Sequence, residues 1–193
     1  ISAGVGAGAG ICYLKGGRYH EIAHTLVNAV AMNSNIGDPR WNPMRGSNPT
    51  SEITVENVTD LLTAISAGKS TITLKAGKYD LTTVADVAEV SGGVLTVTGS
   101  LNLNGEEGAV IAGGFKISGD AVKTFSLRGL TLSGADNVQN LIEIASKDVA
   151  MTSVALKNND ISAYKNRLFY MSQEGAVISS YDMTGNYVHD MGT

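Results

Sequence analysis

The chemistry-bearing residues nearest the start of the chain are His20, Glu21 and His24, which spell the pattern HExxH. Two imidazoles one helical turn apart can bind zinc while the Glu activates a water molecule. The apolar stripe of residues 19–32 predicts the helix that this chemistry needs, but Val30 stands where a third His ligand would come. A solvated helix face is the alternative interpretation, and we predict no bound metal or other cofactor.

A second group of candidates lies in a basic segment. Residues 115–167 carry seven Lys or Arg and five Asp or Glu, in a chain whose net charge is −4. The cations of most interest are Arg128 and Lys157, because an Arg fork matches a carboxylate and a surface bearing both would suit an anionic sugar chain. Ordinary solvated surface is the alternative interpretation of such a charge run.

The remaining candidates lie toward the C-terminus. An exposed tyrosine can stack on a sugar ring, although cores and corners also use tyrosines. His189 and Asp190 could form an acid–base pair, but neighbouring residues on a strand point to opposite faces. No catalytic residue is predicted. The predicted ligand-binding residues are Arg128, Lys157, Tyr164, Lys165, Arg167, Tyr187 and His189.

A weak internal repeat predicts how several of these residues are positioned. Its copies are SLRGLTLSG, ALKNNDISA and DMTGNYVHD, which start at residues 126, 155 and 182, at offsets of 29 and 27 residues. In this alignment Leu127, Leu156 and Met183 superpose, and they are predicted to face inward. The residues that follow them form one outward column, made of Arg128, Lys157 and Thr184.

The same alignment predicts a sharp corner and a ladder. Gly129, Asn158 and Gly185 fall together, and glycine and asparagine tolerate the left-handed backbone that a corner requires. Asn159 superposes on Asn186, so we expect their side-chain amides to hydrogen-bond between repeats.

Strand patterns dominate the chain after residue 50. In STITLKAGKYDL, residues 70–81, Ile72, Leu74 and Ala76 alternate with polar residues, which predicts a half-buried strand, a glycine turn and a second strand. Residues 58–67 have helical apolar spacing and stop at Gly68. We predict an all-β right-handed parallel β-helix over residues 50–193, truncated at its C-terminus, with this helix as a short N-terminal cap. Residues 1–49 are predicted to be an irregular or helical appendage with a proline-containing linker.

The composition narrows the function classes. With 23 Gly and only 17% charged residues in 193, the chain is typical of strand- and turn-rich proteins. Its negative net charge argues against nucleic acid as a partner. No apolar run reaches the roughly 20 residues needed to span a bilayer.

Four segments give the chain a resemblance to a known family. STITLKAGKYDL, SLNLNGEEGAVIAGG, FSLRGLTLSGA and YVHDMG resemble the pectate-lyase-like parallel β-helix proteins, closest to the branch of alginate lyases and chondroitinase B and to surface proteins of Bacteroidetes. The resemblance implies a secreted or cell-surface bacterial module that engages an acidic polysaccharide, with other cell-surface proteins as further partners. We expect binding without catalysis, because the sequence shows no catalytic constellation.

Two enzyme hypotheses stay open beside it. In the first, the chain is a fragment of a polysaccharide lyase that cleaves uronic-acid polymers by β-elimination, with Lys165, Arg167 or His189 near its cleft. In the second, more remote one, it is a zinc peptidase that uses His20 and His24.

Overall fold

In this computed structural model, residues 52–85, 89–135 and 137–192 are described. This part of the chain is all-β in class: its strands lie mainly in parallel sheets, accompanied by one α-helix and one short 3-10 helix. The predicted appendage of residues 1–49, with the HExxH pattern, lies outside the described residues.

Helix α1 (Val58–Ser66) confirms the predicted helix to within one residue. It begins at Asn57, whose side-chain oxygen accepts a 2.9 Å hydrogen bond from the Asp60 backbone N–H, as N-caps do. It ends before Gly68, which adopts a left-handed φ of 74°. Its buried residues, Leu61 and Ala64, lie on the face that packs against the first strands.

The first sheet has six parallel strands in the order β1-β2-β6-β9-β13-β17. Its members are β1 (Glu52–Val55), β2 (Thr71–Leu74), β6 (Leu101–Gly105), β9 (Thr124–Arg128), β13 (Ser153–Lys157) and β17 (Tyr181–Thr184).

The second sheet has five parallel strands in the order β18-β14-β10-β7-β3. Its members are β3 (Gly77–Asp80), β7 (Ala109–Ala112), β10 (Thr131–Ser133), β14 (Asp160–Ser162) and β18 (Tyr187–His189). A 3-10 helix (Leu81–Thr83) follows β3 directly.

The third sheet has the order β15-β11-β8-β5-β4 and is parallel except for the β4–β5 hairpin. Its members are β4 (Val90–Ser91), β5 (Val94–Val97), β8 (Gly114–Ile117), β11 (Asn140–Ile144) and β15 (Arg167–Met171). A separate two-stranded sheet is formed by β12 (Ala150–Met151) and β16 (Val177–Ile178).

The chain visits the three large sheets in a repeating cycle. One strand in the first sheet is followed by one in the second and one in the third, so that β6, β7 and β8 make one circuit and β9, β10 and β11 the next. The register confirms the predicted repeat: Leu127 pairs with Leu156 and Leu156 with Met183, while Leu132 pairs with Ile161 and Ile161 with Val188.

The core lies on the inner faces of the sheets. Ile72, Leu74, Leu103 and Leu127 are fully buried, and Phe115 meets Phe125 edge to face at 5.3 Å between ring centroids. Ala76 departs from the predicted alternation: it is exposed, because β2 ends at Leu74 and the chain turns before β3.

The predicted corner and ladder are both confirmed. Gly129, Asn158 and Gly185 have φ values of 63°, 53° and 69°, all left-handed. The Asn159 side-chain amide donates a 3.0 Å hydrogen bond to Oδ1 of Asn186. The ladder therefore joins neighbouring circuits at the same corner.

Met183 departs from its predicted burial. It continues the column of Leu127 and Leu156, which are 0% and 1% exposed, yet it is itself 46% exposed. Within the described part of the chain no strand lies beyond β17, so the outer side of this residue has nothing packed against it.

Candidate functional site

Arg128 and Lys157 form the predicted outward column. Arg128 ends β9 and Lys157 ends β13, and the two residues pair directly across the first sheet. Their preceding residues, Leu127 and Leu156, are buried in the core. Because side chains alternate along a strand, both cations project from the outer face.

The two cations differ in their electrostatic partners. The Lys157 ammonium forms an ion pair with Asp182, whose pKa is lowered mainly by this hydrogen bond and less by a bond from Thr184 and by the charge of Arg128. Arg128 is exposed and forms no ion pair with any residue in the described ranges. Asp182 thus offsets one of the two positive charges and is held by Lys157, while the guanidinium of Arg128 makes no direct ion pair with a described residue.

On the side of Arg128 away from Lys157 and Asp182, the neighbouring residues of the outer face are polar and uncharged. Thr54, Thr73 and Asn104 precede Arg128 in its column, each in register with the next. In the neighbouring column, the Ser126 hydroxyl donates a 2.9 Å hydrogen bond to Oδ1 of Asn102. Such rows of hydroxyls and amides can both donate and accept hydrogen bonds.

Tyr164 must be removed from the predicted ligand-binding set. Its side chain is 0% exposed, and its hydroxyl donates a 2.7 Å hydrogen bond to the backbone oxygen of Gly113. Burial raises the pKa of this phenol. The residue is a core tyrosine whose polar end is satisfied internally, and its ring cannot face a sugar.

Lys165 and Arg167 lie outside the first sheet, which carries Arg128. Lys165 is exposed between β14 and β15, and Arg167 begins β15 in the third sheet. The Arg167 guanidinium carbon lies 4.8 Å from the centroid of the Tyr170 ring, a cation–π arrangement. The structure therefore does not bring these two residues onto the face that carries Arg128 and Lys157.

Tyr187 and His189 lie on β18 in the second sheet. Their rings stack with centroids 4.8 Å apart. Nε2 of His189 lies 2.8 Å from Asp160 and Nδ1 lies 2.7 Å from Asp190. Hydrogen bonds to Asp190 first and Asp160 second raise the pKa of the imidazole.

The contact between His189 and Asp190 corrects the expectation that adjacent residues would point apart. Strand β18 ends at His189, and Asp190 adopts a φ of 48°. This left-handed backbone takes Asp190 out of the strand, so alternation no longer applies and its carboxylate reaches back to the imidazole.

Asp160 and Asp182 are partners that the predicted set of binding residues does not include. The repeat alignment could have identified Asp160, because Asp160 aligns with Tyr187, which is two residues from His189. The strand register confirms that Asp160 pairs with Tyr187. The alignment held the same signal for Asp182, because Asp182 aligns with Ala155, two residues from Lys157.

Neither a metal cluster nor a membrane-spanning helix occurs in the described ranges. No three His, Cys, Asp or Glu side chains are gathered there as metal ligands would be. The helix present is also too short to cross a bilayer. His20, Glu21 and His24 lie outside these ranges, so the zinc hypothesis stays a prediction.

Comparison with known proteins gives one short similarity. A stretch of 36 residues, 19% of this chain, is 67% identical to part of a UPF0597 protein of Desulfitobacterium hafniense. The chain spans only 8% of the length of that relative. No family model and no solved structure matches the chain.

Proposed function

We propose that the described residues form a right-handed parallel β-helix similar to the pectate-lyase-like proteins. Support comes from the repeating cycle through three parallel sheets, from repeat offsets that match the strand register, and from the asparagine ladder between circuits. Stacked repeats of this kind bury a continuous apolar column that one repeat cannot bury alone. Helix α1 would cap the first circuit, because it packs against β1, β2 and β3.

The proposed function is binding of an acidic polysaccharide by a non-catalytic module that is secreted or displayed on a bacterial surface. The observation that supports it most directly is the exposed guanidinium of Arg128, which has no ion-pair partner in the described ranges and lies next to a row of uncharged polar residues, Thr54, Thr73 and Asn104. A guanidinium offers a carboxylate two parallel hydrogen bonds, and hydroxyls and amides beside it suit the rest of a sugar chain.

Binding without catalysis fits this face better than β-elimination does. Elimination needs a base to abstract a proton beside a uronate whose charge another group neutralises. The basic side chain in register with Arg128 is Lys157, and its ammonium is engaged by Asp182. A protonated, paired ammonium is a poor base.

Charge reversal at Arg128 tests the proposal. Affinity electrophoresis in gels containing polygalacturonate should show the Arg128→Glu variant bound at least about tenfold more weakly, since a hydrogen bond to a charged group contributes roughly 1.5–3 kcal/mol. Lys147→Glu is the control, because it also reverses an exposed cation but lies outside this face. Equal retardation of Arg128→Glu and the wild type would refute the assignment, and release of unsaturated uronates would overturn the non-catalytic function.

A further inference from the structure

We propose that the second sheet carries a separate carbohydrate-binding surface, the Tyr187 platform, that takes an uncharged pyranose. The platform consists of Tyr187, His189, Asp160 and Asp190. It goes beyond the acidic-polymer function proposed for the Arg128 face, since it lies on another sheet and selects another class of sugar.

The ring of Tyr187 provides the stacking surface. Tyr187 is 66% exposed, more than any other large hydrophobic residue in the described ranges. One of its sides is supported by His189, whose ring lies nearly parallel to it, at 28°. A large, exposed and supported aromatic ring can cover the apolar C–H face of a pyranose with little loss of conformational entropy.

Two carboxylates hold the supporting imidazole in place. Asp160 and Asp190 each use one oxygen to bind a different nitrogen of His189. With both nitrogens engaged, rotation of the imidazole would break two hydrogen bonds. The platform is therefore organised before a ligand arrives, which lowers the entropic cost of binding.

The same carboxylates supply acceptors for sugar hydroxyls. The second oxygen of Asp160 and that of Asp190 make no hydrogen bond with any described residue, and their side chains are 51% and 76% exposed. An ionised carboxylate only accepts hydrogen bonds, and hydroxyl groups are donors that match it. Asp160 also pairs in register with Tyr187, so one acceptor lies beside the aromatic ring.

The charge of the platform selects against acidic sugars. Even when His189 is protonated, two carboxylates face one cation, so the platform keeps a net negative charge. A uronate would add a like charge to this surface, which is unfavourable. The platform thus favours neutral pyranosides, the opposite of the preference expected at Arg128.

Affinity electrophoresis with three neutral polysaccharides, a β-glucan, a galactomannan and an arabinogalactan, tests the platform. We expect at least one of them to retard the wild-type protein, and Tyr187→Ala to weaken that interaction about tenfold. Asp160→Asn should weaken it also, because the amide keeps the shape but loses the charged acceptor.

Tyr181→Ala is the matched control, since Tyr181 is 49% exposed on the same circuit but lies on the first sheet. It should bind the neutral polysaccharide within about twofold of the wild type. Circular dichroism and thermal melting verify that each variant is folded. If none of the three neutral polysaccharides retards the wild type, or if Tyr187→Ala and Tyr181→Ala behave alike, the platform is refuted. Polygalacturonate run in parallel keeps the two proposals distinguishable, since retardation by it alone leaves the Arg128 assignment standing.

Discussion

Replacement of Asn159 by alanine should destabilise the protein far more than an ordinary asparagine substitution. Asn159 is only 3% exposed. Its Nδ2 donates to the backbone oxygen of Leu127 at 2.9 Å and to Asn186 at 3.0 Å, and its Oδ1 accepts from the backbone N–H of Leu130 at 3.1 Å. One side chain thus joins three neighbouring circuits.

The magnitude follows from the hydrogen bonds that Asn159→Ala removes. The buried backbone N–H of Leu130, which lies between strands, loses the bond that the amide oxygen supplied, and an unsatisfied buried polar group costs about 1–3 kcal/mol. The backbone oxygen of Leu127 loses the bond from the amide nitrogen but stays within the parallel ladder of β9 and β13, so this second loss should add about 0.5–1.5 kcal/mol. The lost bond to Asn186 adds less, because Asn186 is only half-buried and water can replace its partner.

Urea unfolding followed by circular dichroism measures this cost as a change in the free energy of unfolding. Asn166→Ala is the control, since Asn166 makes a single 2.7 Å side-chain hydrogen bond, to Gln139, at an exposed position. Its effect should stay within about 0.5 kcal/mol, as for most surface substitutions. A loss for Asn159→Ala no larger than that of Asn166→Ala would refute the view that the ladder holds the circuits together.

Two further predictions concern a corner and a titrating group. Gly185→Ala should destabilise more than Gly68→Ala in the same urea assay: both glycines have left-handed φ values, but a Cβ at Gly185 would clash with Oδ1 of Asn158 and displace that side chain, whereas one at Gly68 would meet nothing within 4 Å. Equal effects would show that only backbone strain matters at this corner. The raised pKa of His189 should make stability pH-dependent, because the charged imidazole is bound more tightly in the folded state. This contribution to stability is complete below the pKa of the unfolded state, about 6.5, and is lost as pH rises through the higher pKa of the folded state. The urea midpoint of the wild type should therefore fall across that pH window, and the midpoint of His189→Gln should not. Parallel pH profiles for the two proteins would exclude His189 as the origin.

Strand register was predictable because it is encoded by local repetition. The offsets of 29 and 27 residues align leucines, corner residues and asparagines at once, and the strands pair in that alignment. A strand register shifted by one residue would place Leu127 and Leu156 on the outer face. Because leucines, corner residues and asparagines all align in the same register, the repeat is compatible with that register alone.

Side-chain surroundings were less predictable than register. Tyr164 and Tyr187 are the same residue type near the same end of the chain, yet one is fully buried and the other is 66% exposed. Tyr164 is buried because it follows β14 at a turn toward the core, where the Gly113 oxygen can accept its hydroxyl. Such a contact, between residues 51 positions apart, has no local sequence signal.

The register also explains why two surfaces of opposite charge can coexist on one small fold. In the columns of Arg128 and His189, the two circuits just before each of these residues carry uncharged polar side chains at the same position. Thr73 and Asn104 precede Arg128 in one column, and Ser133 and Ser162 precede His189 in another. Because neighbouring strands pair through backbone groups, an outward side chain can change without loss of the hydrogen bonds that hold the sheet. We therefore expect ligand specificity to come from the residues that replace an uncharged polar side chain in such a column, as Arg128 and His189 do.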